Sequence, residues 1–167
     1  KIEIIMRNGG RTFISVTDNG CGMSKRDLVL AVERHATSKL PTDNLDSIST
    51  LGFRGEALPS IAAISELNLQ SKYINSNQAW SQDVFAGDFN EVYPSSLEKG
   101  TKVSIKKLFF ATPARLKFLK SSQVEKSYCQ QSILKMALVN PLVGFNLKVD
   151  GRELLNIKPE NKSDGLY

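Results

Sequence analysis

The stretch Asp18-Asn19-Gly20-Cys21-Gly22-Met23 follows two strand-like segments and decides how the rest of the sequence is interpreted. Residues 1–7 and 12–17 have the composition of strands, and Asn8-Gly9-Gly10 between them is typical of a tight turn. The stretch therefore stands at the end of a predicted hairpin. Its glycines permit backbone conformations closed to other residues, and the Asp18 carboxylate can accept a hydrogen bond from an exocyclic amine. Taken alone, it predicts either a plain turn or one wall of a site for a flat ring.

Further helices and strands are predicted downstream of this stretch. Ser24 and Asp27 form a capping-box pattern. Leu28 and Val32 then repeat at four-residue spacing, and together these features predict a helix from about 25 to 38. Other helices are predicted at 56–65, from Thr112-Pro113-Ala114-Arg115 onward and at 123–139, and other strands at 66–73, 79–86, 90–94, 101–107, 145–149 and 153–157. Because strands and helices occur in blocks without strict alternation, the sequence predicts an α+β fold, one sheet with helices on one face.

The composition is that of an ordinary globular domain, and the sequence shows neither a membrane-spanning segment nor a signal peptide. Of the 167 residues, 41% are hydrophobic and 23% are charged, close to the average for such domains. No run approaches the roughly 18 apolar residues of a membrane span, and the beginning has no signal-peptide pattern. We therefore expect one domain over residues 1–158, followed at 159–167 by a polar linker toward a second domain.

Charge and metal-binding residue types narrow the function further. A net charge of +5 favours contact with an anion such as nucleic acid or a nucleotide phosphate. Cys21 and Cys129 lie far apart without CxxC spacing, and His35 is the one histidine, so neither a zinc site nor a disulfide framework is expected. A reducing, cytoplasmic setting is the simplest interpretation.

Two other glycine-containing segments are candidates for a nucleotide site, since the sequence has no GxxxxGK[ST] or GxGxxG phosphate motif. Gly52-Phe53-Arg54-Gly55-Glu56-Ala57-Leu58 precedes a predicted helix, whose N–H groups and dipole can bind phosphate, with Arg54 adding a positive charge. Gly100-Thr101 enters a predicted strand. The ordinary alternatives are a surface loop at the first segment and a simple strand start at the second.

Four strings, taken in order, carry a resemblance to a known family: DNGCGM at 18–23, RHATSK at 34–39, GFRGEAL at 52–58 and LFFATPARLKFL at 108–119. Together they resemble the GHKL ATPases, the superfamily of gyrase B, Hsp90, histidine kinases and MutL, and are most similar to MutL-type DNA mismatch-repair proteins. Ala111 departs from the asparagine that many relatives carry before Thr-Pro. The resemblance covers nearly the whole chain. It implies the GHKL (Bergerat) fold, a two-layer sandwich of a mixed, mainly antiparallel sheet with helices on one face.

This resemblance implies a site for ATP. Asp18 matches the residue that recognises the adenine amino group, and Thr101 matches the residue that supports it from the neighbouring strand. Gly20 and Gly22 fall beside the base, and Glu56 matches a lid residue and not a general base. The implied nucleotide-binding residues are Asp18, Gly20, Gly22, Thr37, Ser38, Lys39, Arg54, Gly55, Glu56, Ala57, Leu58 and Thr101, of which 54–58 match the lid.

The family residues that activate water and bind Mg²⁺ have no match in this chain. The family's first motif carries a Glu that activates water and an Asn that binds magnesium, and it is expected upstream of Lys1. The family's phosphate-contacting lysine lies in a following domain. The resemblance therefore implies a full-length protein that uses ATP and Mg²⁺ and hydrolyses ATP slowly. It also implies that this chain alone turns over no significant ATP, because base and cation are both needed.

Partners are also implied by the resemblance. ATP binding would order loops around 37–60, 74–79 and 110–122 and join two N-terminal domains as a homodimer. The dimer would relay the signal of a mismatch-recognition protein to a downstream nuclease and helicase. The implied location is the bacterial cytoplasm, in association with DNA, and no membrane partner is implied. A group of basic residues could contact single- or double-stranded DNA without sequence preference, and the alternative is an ordinary solvated face. The group comprises Lys102, Lys106, Lys107, Arg115, Lys117 and Lys120.

Two alternative functions stay open at the level of sequence. A gyrase B-like or kinase-like GHKL module is disfavoured, because RHATSK and TPARLKFL have no obvious counterpart in those branches. A binding or scaffold module that has lost ATP turnover would differ from an ATPase upstream of Lys1. A Glu-x-x-x-Asn pattern there supports the ATPase, and its absence supports the scaffold.

Overall fold

The computed structural model describes residues 1–33 and 55–160. In this part of the chain the strands are β1 (Ile2–Arg7), β2 (Phe13–Asp18), β3 (Glu66–Lys72), β4 (Ala79–Phe85), β5 (Asp88–Phe89), β6 (Tyr93–Ser95), β7 (Gly100–Lys106), β8 (Phe145–Val149) and β9 (Arg152–Ile157). Its α-helices are α1 (Lys25–Ala31), α2 (Ala57–Ala62), α3 (Pro113–Phe118) and α4 (Ser122–Val139), and Asn8–Gly10 form a short 3-10 helix. None of these helices combines the length and the apolar character that crossing a bilayer demands.

All described strands belong to one mixed, mainly antiparallel sheet. The strands lie in the order β5-β4-β3-β7-β2-β1-β8-β9, and β6 pairs with the first residues of β4. Among the described pairs, β1 and β8 run parallel and all others run antiparallel. The predicted α+β class, with a mainly antiparallel sheet and helices on one face, is confirmed.

Two apolar clusters lie on the same face of this sheet. Met6, Ile14 and Ile105 are paired across β1, β2 and β7, so the two-residue period of strands puts them on one face. Helices α1 and α2 cover the first cluster, which comprises Leu28, Val32, Ala62, Leu67, Leu69, Val84 and Ile105. Helix α4 covers the second, which comprises Ile4, Met6, Ile133, Phe145, Leu147 and Val149. Each large side chain buried in this way stabilises the fold by about 1.5–3 kcal/mol relative to exposure.

Polar side chains occupy the opposite face of the sheet. There Lys148 of β8 donates a 2.8 Å hydrogen bond to Glu3 of β1, across the parallel pair. This bond lowers the pKa of Glu3 and raises the pKa of Lys148. The hydroxyls of Ser15 and Ser104 lie 3.4 Å apart on the same face. No helix covers this face, the open face of the sheet, in the described part of the chain.

Helix α1 is shorter than its sequence pattern predicts. Ser24 caps it, since the Ser24 hydroxyl accepts a 3.2 Å hydrogen bond from the amide of Asp27. The helix ends at Ala31, because the backbone tightens there and the amide of Glu33 donates to the carbonyl of Leu30, three residues back. The prediction of helix at 32–33 is wrong, and 34–38 lie outside the described residues.

The strand predicted at 90–94 is only partly right, because 93–94 belong to β6 whereas 90–92 are not in a strand. Ala86 and Gly87 have φ angles of 50° and 93° and make a tight turn that pairs Asp88–Phe89 with the end of β4 instead. Pro94 has no N–H to donate to a ladder, which restricts β6 to a short pairing with β4. The other predicted strands and α4 agree with the observed bounds to within one residue, and α2 is shorter than expected.

Helix α4 begins directly above the turn that joins β1 to β2. Gly9 in this turn has a φ of 62°, and a β-carbon there would lie 2.5 Å from the carbonyl oxygen of Ser122 and 2.6 Å from its Cα. The guanidinium of Arg11 donates hydrogen bonds to the carbonyls of Leu119 and Lys120, just before the helix. The missing side chain at position 9 therefore sets how closely α4 approaches the sheet.

Replacing Gly9 by alanine should destabilise the fold more than replacing Gly151, a matched control. Both glycines have positive φ, 62° and 81°, so both variants share a backbone strain of about 1–2 kcal/mol. A β-carbon on Gly151 meets no atom within 4 Å, whereas one on Gly9 meets the backbone of Ser122. We expect Gly9→Ala to lose roughly 2 kcal/mol more in urea unfolding, from overpacking. Equal losses in the two variants would show that the α4 contact does not depend on position 9.

Candidate functional site

Three neighbouring strands place polar side chains in one row at one end of the sheet. Asp18, the last residue of β2, pairs with Thr101 of β7, and Thr101 pairs with Ser71 of β3. The row lies on the face that carries the helices. Val16 and Leu69 are on that face, and Asp18 and Ser71 follow them by two residues, the period at which strand side chains share a face. The structure thus sets Thr101 directly beside Asp18, with a third hydroxyl next to it.

The Asp18 carboxylate is half-buried and only partly satisfied. Its Oδ1 accepts a 2.8 Å hydrogen bond from the amide of Gly20, in the loop that follows β2. Among the described residues, no second donor bonds this carboxylate. Its remaining lone pairs can therefore accept a hydrogen bond from an amine that enters from the helix-bearing face.

Two glycines bring the loop after β2 into backbone contact with the neighbouring strand ends. Gly22 has a φ of 67°, and a β-carbon on it would lie 1.9 Å from the carbonyl oxygen of Lys72 at the end of β3. Gly100 has a φ of 78°, and a β-carbon there would lie 2.1 Å from the carbonyl oxygen of Asp18. The amide of Ile74 also donates a 2.8 Å hydrogen bond to the carbonyl of Cys21. The loop is therefore a packed part of the sheet end.

Ser71 is the residue at this corner that the sequence patterns did not indicate. Its hydroxyl accepts a 2.8 Å hydrogen bond from the amide of Met23 and lies 3.0 Å from the carbonyl oxygen of Gly100 and 2.9 Å from Oγ1 of Thr101. The signal available in the sequence was its place in β3, where it continues the inward positions of Leu67 and Leu69 with a polar side chain.

No described helix covers the apolar strip around Val16, which lies beside Asp18 and between the two clusters. Val16 lies on β2, with a strand on either side, yet 36% of it is exposed. Helix α1 packs over β3 and β4, and α4 packs over β8, so the described helices leave the centre of this face open. A flat apolar ring placed there would cover Val16 and reach the carboxylate of Asp18 with its polar edge.

Sequence and structure comparisons place this chain in a known family. The chain is 42% identical over 165 residues to the DNA mismatch repair protein MutL of Paramagnetospirillum magneticum, covering 99% of this chain and 27% of that protein. It is 49% identical over 155 residues to MutL of Azorhizobium caulinodans, covering 93% and 25%. The Aquifex aeolicus MutL ATPase domain complexed with ADP matches with a TM-score of 0.79 at 28% identity, over 98% of this chain and 57% of that one. The chain belongs with the MutL-type mismatch-repair proteins.

The similarity concerns the ATPase-domain portion of MutL-type proteins. The chain spans about a quarter of the length of the curated MutL relatives that it matches. The N-terminal domain of a DNA repair protein also matches, with a TM-score of 0.75 at 27% identity, over 96% of this chain and 48% of that one. No family model matches the chain.

The expected lid of this MutL-type chain is described only in part. Gly55 has a φ of 63°, Glu56 immediately precedes α2, and Ala57 begins that helix. Leu58 packs against the first apolar cluster, which ties the start of α2 to the sheet. The other expected nucleotide-binding residues, Thr37, Ser38, Lys39 and Arg54, lie outside the described residues.

The basic residues expected to bind DNA are divided between two regions of the MutL-type fold. Lys102 and Lys106 lie on the open face of the sheet, opposite Thr17 and Phe13 of β2. Lys107 forms a 2.6 Å ion pair with Glu66, at the end of the sheet away from Asp18. The others belong to the segment around α3, where Arg115, Lys117 and Lys120 are all exposed.

Within residues 1–33 and 55–160, no three His, Cys, Asp or Glu side chains come together in a way that could hold a metal ion.

Proposed function

We propose that this chain supplies the adenine-binding corner of an ATP-dependent switch in a DNA mismatch-repair protein of MutL type. The observation that carries the proposal is the row of Asp18, Thr101 and Ser71, with a carboxylate oxygen available beside the exposed strip at Val16. The ADP held by the similar Aquifex aeolicus ATPase domain supports a nucleotide as the ligand.

In this proposal the adenine ring lies over Val16 and presents its amino edge to Asp18. The amino group donates to the carboxylate, and the backbone at Gly22 borders the ring closely because no side chain intervenes. A carboxylate oxygen is a hydrogen-bond acceptor, so it favours the amino group of adenine over a carbonyl at the same ring position. The residues 37–39 and 54–58 would surround the ribose and phosphates, as the family resemblance implies.

The switch that we propose acts through segments joined to the loop after β2. The amide of Ile74 donates a hydrogen bond to the carbonyl of Cys21. A change in the loop after β2 on nucleotide binding at Asp18 and Gly22 would therefore be passed directly to the turn between β3 and β4. We propose that ATP orders this turn, the segment at 110–122 and the lid, and so joins two N-terminal domains as a homodimer. The dimer would connect a mismatch-recognition protein to a nuclease and a helicase on DNA in the bacterial cytoplasm.

Hydrolysis in the full-length protein would need groups beyond those described. ATP hydrolysis requires a base that positions water and a cation that neutralises phosphate charge. We propose that a glutamate upstream of Lys1, Mg²⁺ and a lysine of a following domain supply them, and that turnover is slow. The scaffold alternative predicts nucleotide binding at most, without turnover in the full-length protein.

Asp18→Asn should weaken ADP binding to the full-length protein by roughly ten- to a hundredfold, the cost of losing a hydrogen bond to a charged acceptor. Isothermal titration calorimetry with ADP measures the effect directly. Asp88→Asn is the matched control, because Asp88 is an exposed carboxylate of β5 at the far edge of the sheet. Unchanged ADP affinity in Asp18→Asn would remove the basis of the proposed function.

The 167-residue chain alone should release phosphate from ATP at the background rate, whereas the full-length protein should turn over slowly. The reason is that neither the water-activating base nor the phosphate-neutralising cation is expected in this chain. A coupled phosphate-release assay on both proteins measures the difference. Turnover by the chain alone that disappears with Asp18→Asn would refute this prediction, and an inactive full-length protein would favour the scaffold alternative.

Reversing the charges of Lys117 and Lys120 to glutamate should weaken DNA binding by the full-length protein. If both lysines contact phosphates, the slope of log affinity against log salt concentration should become shallower by about 2. Fluorescence anisotropy with a labelled duplex at several salt concentrations gives this slope. The control is Lys135→Glu with Lys158→Glu, an equal charge change at two exposed lysines elsewhere. A salt slope unaltered relative to the wild type would leave the α3 segment as an ordinary solvated surface.

A further inference from the structure

Ser71 is a completely buried hydroxyl at the junction of the three strand ends. Its exposed fraction is 0%, and it follows Leu67 and Leu69 on the helix-bearing face of β3. A serine in such a position needs hydrogen-bond partners, because burying a hydroxyl without them is unfavourable. Its partners come from two different walls of the proposed adenine site, the loop after β2 and the start of β7.

The hydrogens at this corner can be assigned by counting donors. The carbonyl of Gly100 only accepts, so a hydrogen bond over its 3.0 Å separation from Ser71 uses the one hydrogen of the Ser71 hydroxyl. The 2.9 Å contact between Ser71 and Thr101 is then a hydrogen bond only if Thr101 donates. The amide of Met23 donates a 2.8 Å hydrogen bond to the second lone pair of the Ser71 hydroxyl oxygen.

This assignment leaves Thr101 with acceptor lone pairs and no free hydrogen toward the ligand. Asp18, beside it in the same row, is also an acceptor. The proposed base edge therefore meets two acceptors side by side. Such a pair suits the amino group of adenine and opposes the carbonyl that hypoxanthine or guanine carries at the equivalent position.

We propose that Ser71 is a positioning residue that sets the base specificity of this site by holding the Thr101 hydroxyl as an acceptor. The inference rests on the proposed function, because it takes the ligand at Asp18 to be an adenine nucleotide. Ser71 acts through Thr101 and does not contact the base. The bond from Met23 adds a second effect, since it fastens the loop that carries Gly22 to β3.

Removing the hydroxyl should change the choice of base as well as the affinity. In Ser71→Ala the Thr101 hydroxyl loses its acceptor and becomes free to donate to a carbonyl on the ligand. The ratio of the dissociation constants for inosine diphosphate and ADP should then fall about tenfold, the equivalent of one exchanged hydrogen bond. Both constants are measured by calorimetry on the full-length protein, with thermal unfolding recorded in parallel.

Ser81→Ala is the matched control. Ser81 is also 0% exposed, but it lies on the open face of β4, where its hydroxyl accepts a 2.9 Å hydrogen bond from the side-chain Nδ2 of Asn68. We expect this variant to lose stability with the ratio unchanged. Ser71→Cys keeps a side chain of similar shape with a weak donor and should give an intermediate ratio, and it provides a second variant if Ser71→Ala does not fold.

A double-mutant comparison separates positioning from a merely structural role. Since Ser71 is inferred to act through Thr101, Ser71→Ala should alter the ratio no further in a Thr101→Val background. The inference would be overturned if Ser71→Ala weakened the binding of ADP and inosine diphosphate equally. It would also be overturned if Ser71→Ala changed the ratio of the two dissociation constants as much in the Thr101→Val background as in the wild type. Failure of the proposed function gives a different result, because ADP binding would then be absent or insensitive to Asp18→Asn.

Discussion

Gly22 and Gly100 permit a backbone approach that the rest of the site depends on. Each has a positive φ, and each would place a β-carbon about 2 Å from a carbonyl oxygen of a neighbouring strand end. With no side chain in the way, the loop after β2 lies against β3, and the start of β7 lies against Asp18. The result is a corner where a carboxylate and two hydroxyls come from three strands and yet share one row.

The division of the apolar face into two clusters gives this corner its opening. A continuous helical layer would cover β2, the central strand, and would leave no approach to Asp18. Instead α1 and α2 pack toward one side and α4 toward the other, so that Val16 stays partly exposed between them. Ile14, two residues before Val16, touches both clusters and closes the strip at its inner end. The fold thus places an apolar floor and a polar wall next to each other.

Local patterns predicted most elements, because strand alternation, caps and turn residues act over a few positions. The hairpin around Gly9, the cap at Ser24 and the closing hairpin after Phe145 all follow from such signals. The early end of α1 and the short strands β5 and β6 depend on packing and on the turn at Gly87, which local periodicity does not report. Ser71 was missed for a related reason, since its partners come from segments 30 and 48 positions away. The full placement of the site residues remains a prediction where it concerns 37–39 and 54.

The parallel pairing of β1 with β8 joins two distant parts of the chain, and the bond between Glu3 and Lys148 spans 145 positions. During synthesis β1 can pair with β2 at once, but its other edge stays unsatisfied until the polypeptide beyond α4 has emerged. For that interval Ile4 and Met6 also lack the helix that covers them. An unpaired strand edge with apolar side chains is a template for association with other chains. Until β8 and α4 have emerged, β1 is therefore a strand at which the nascent protein can associate with other chains and at which a chaperone can act.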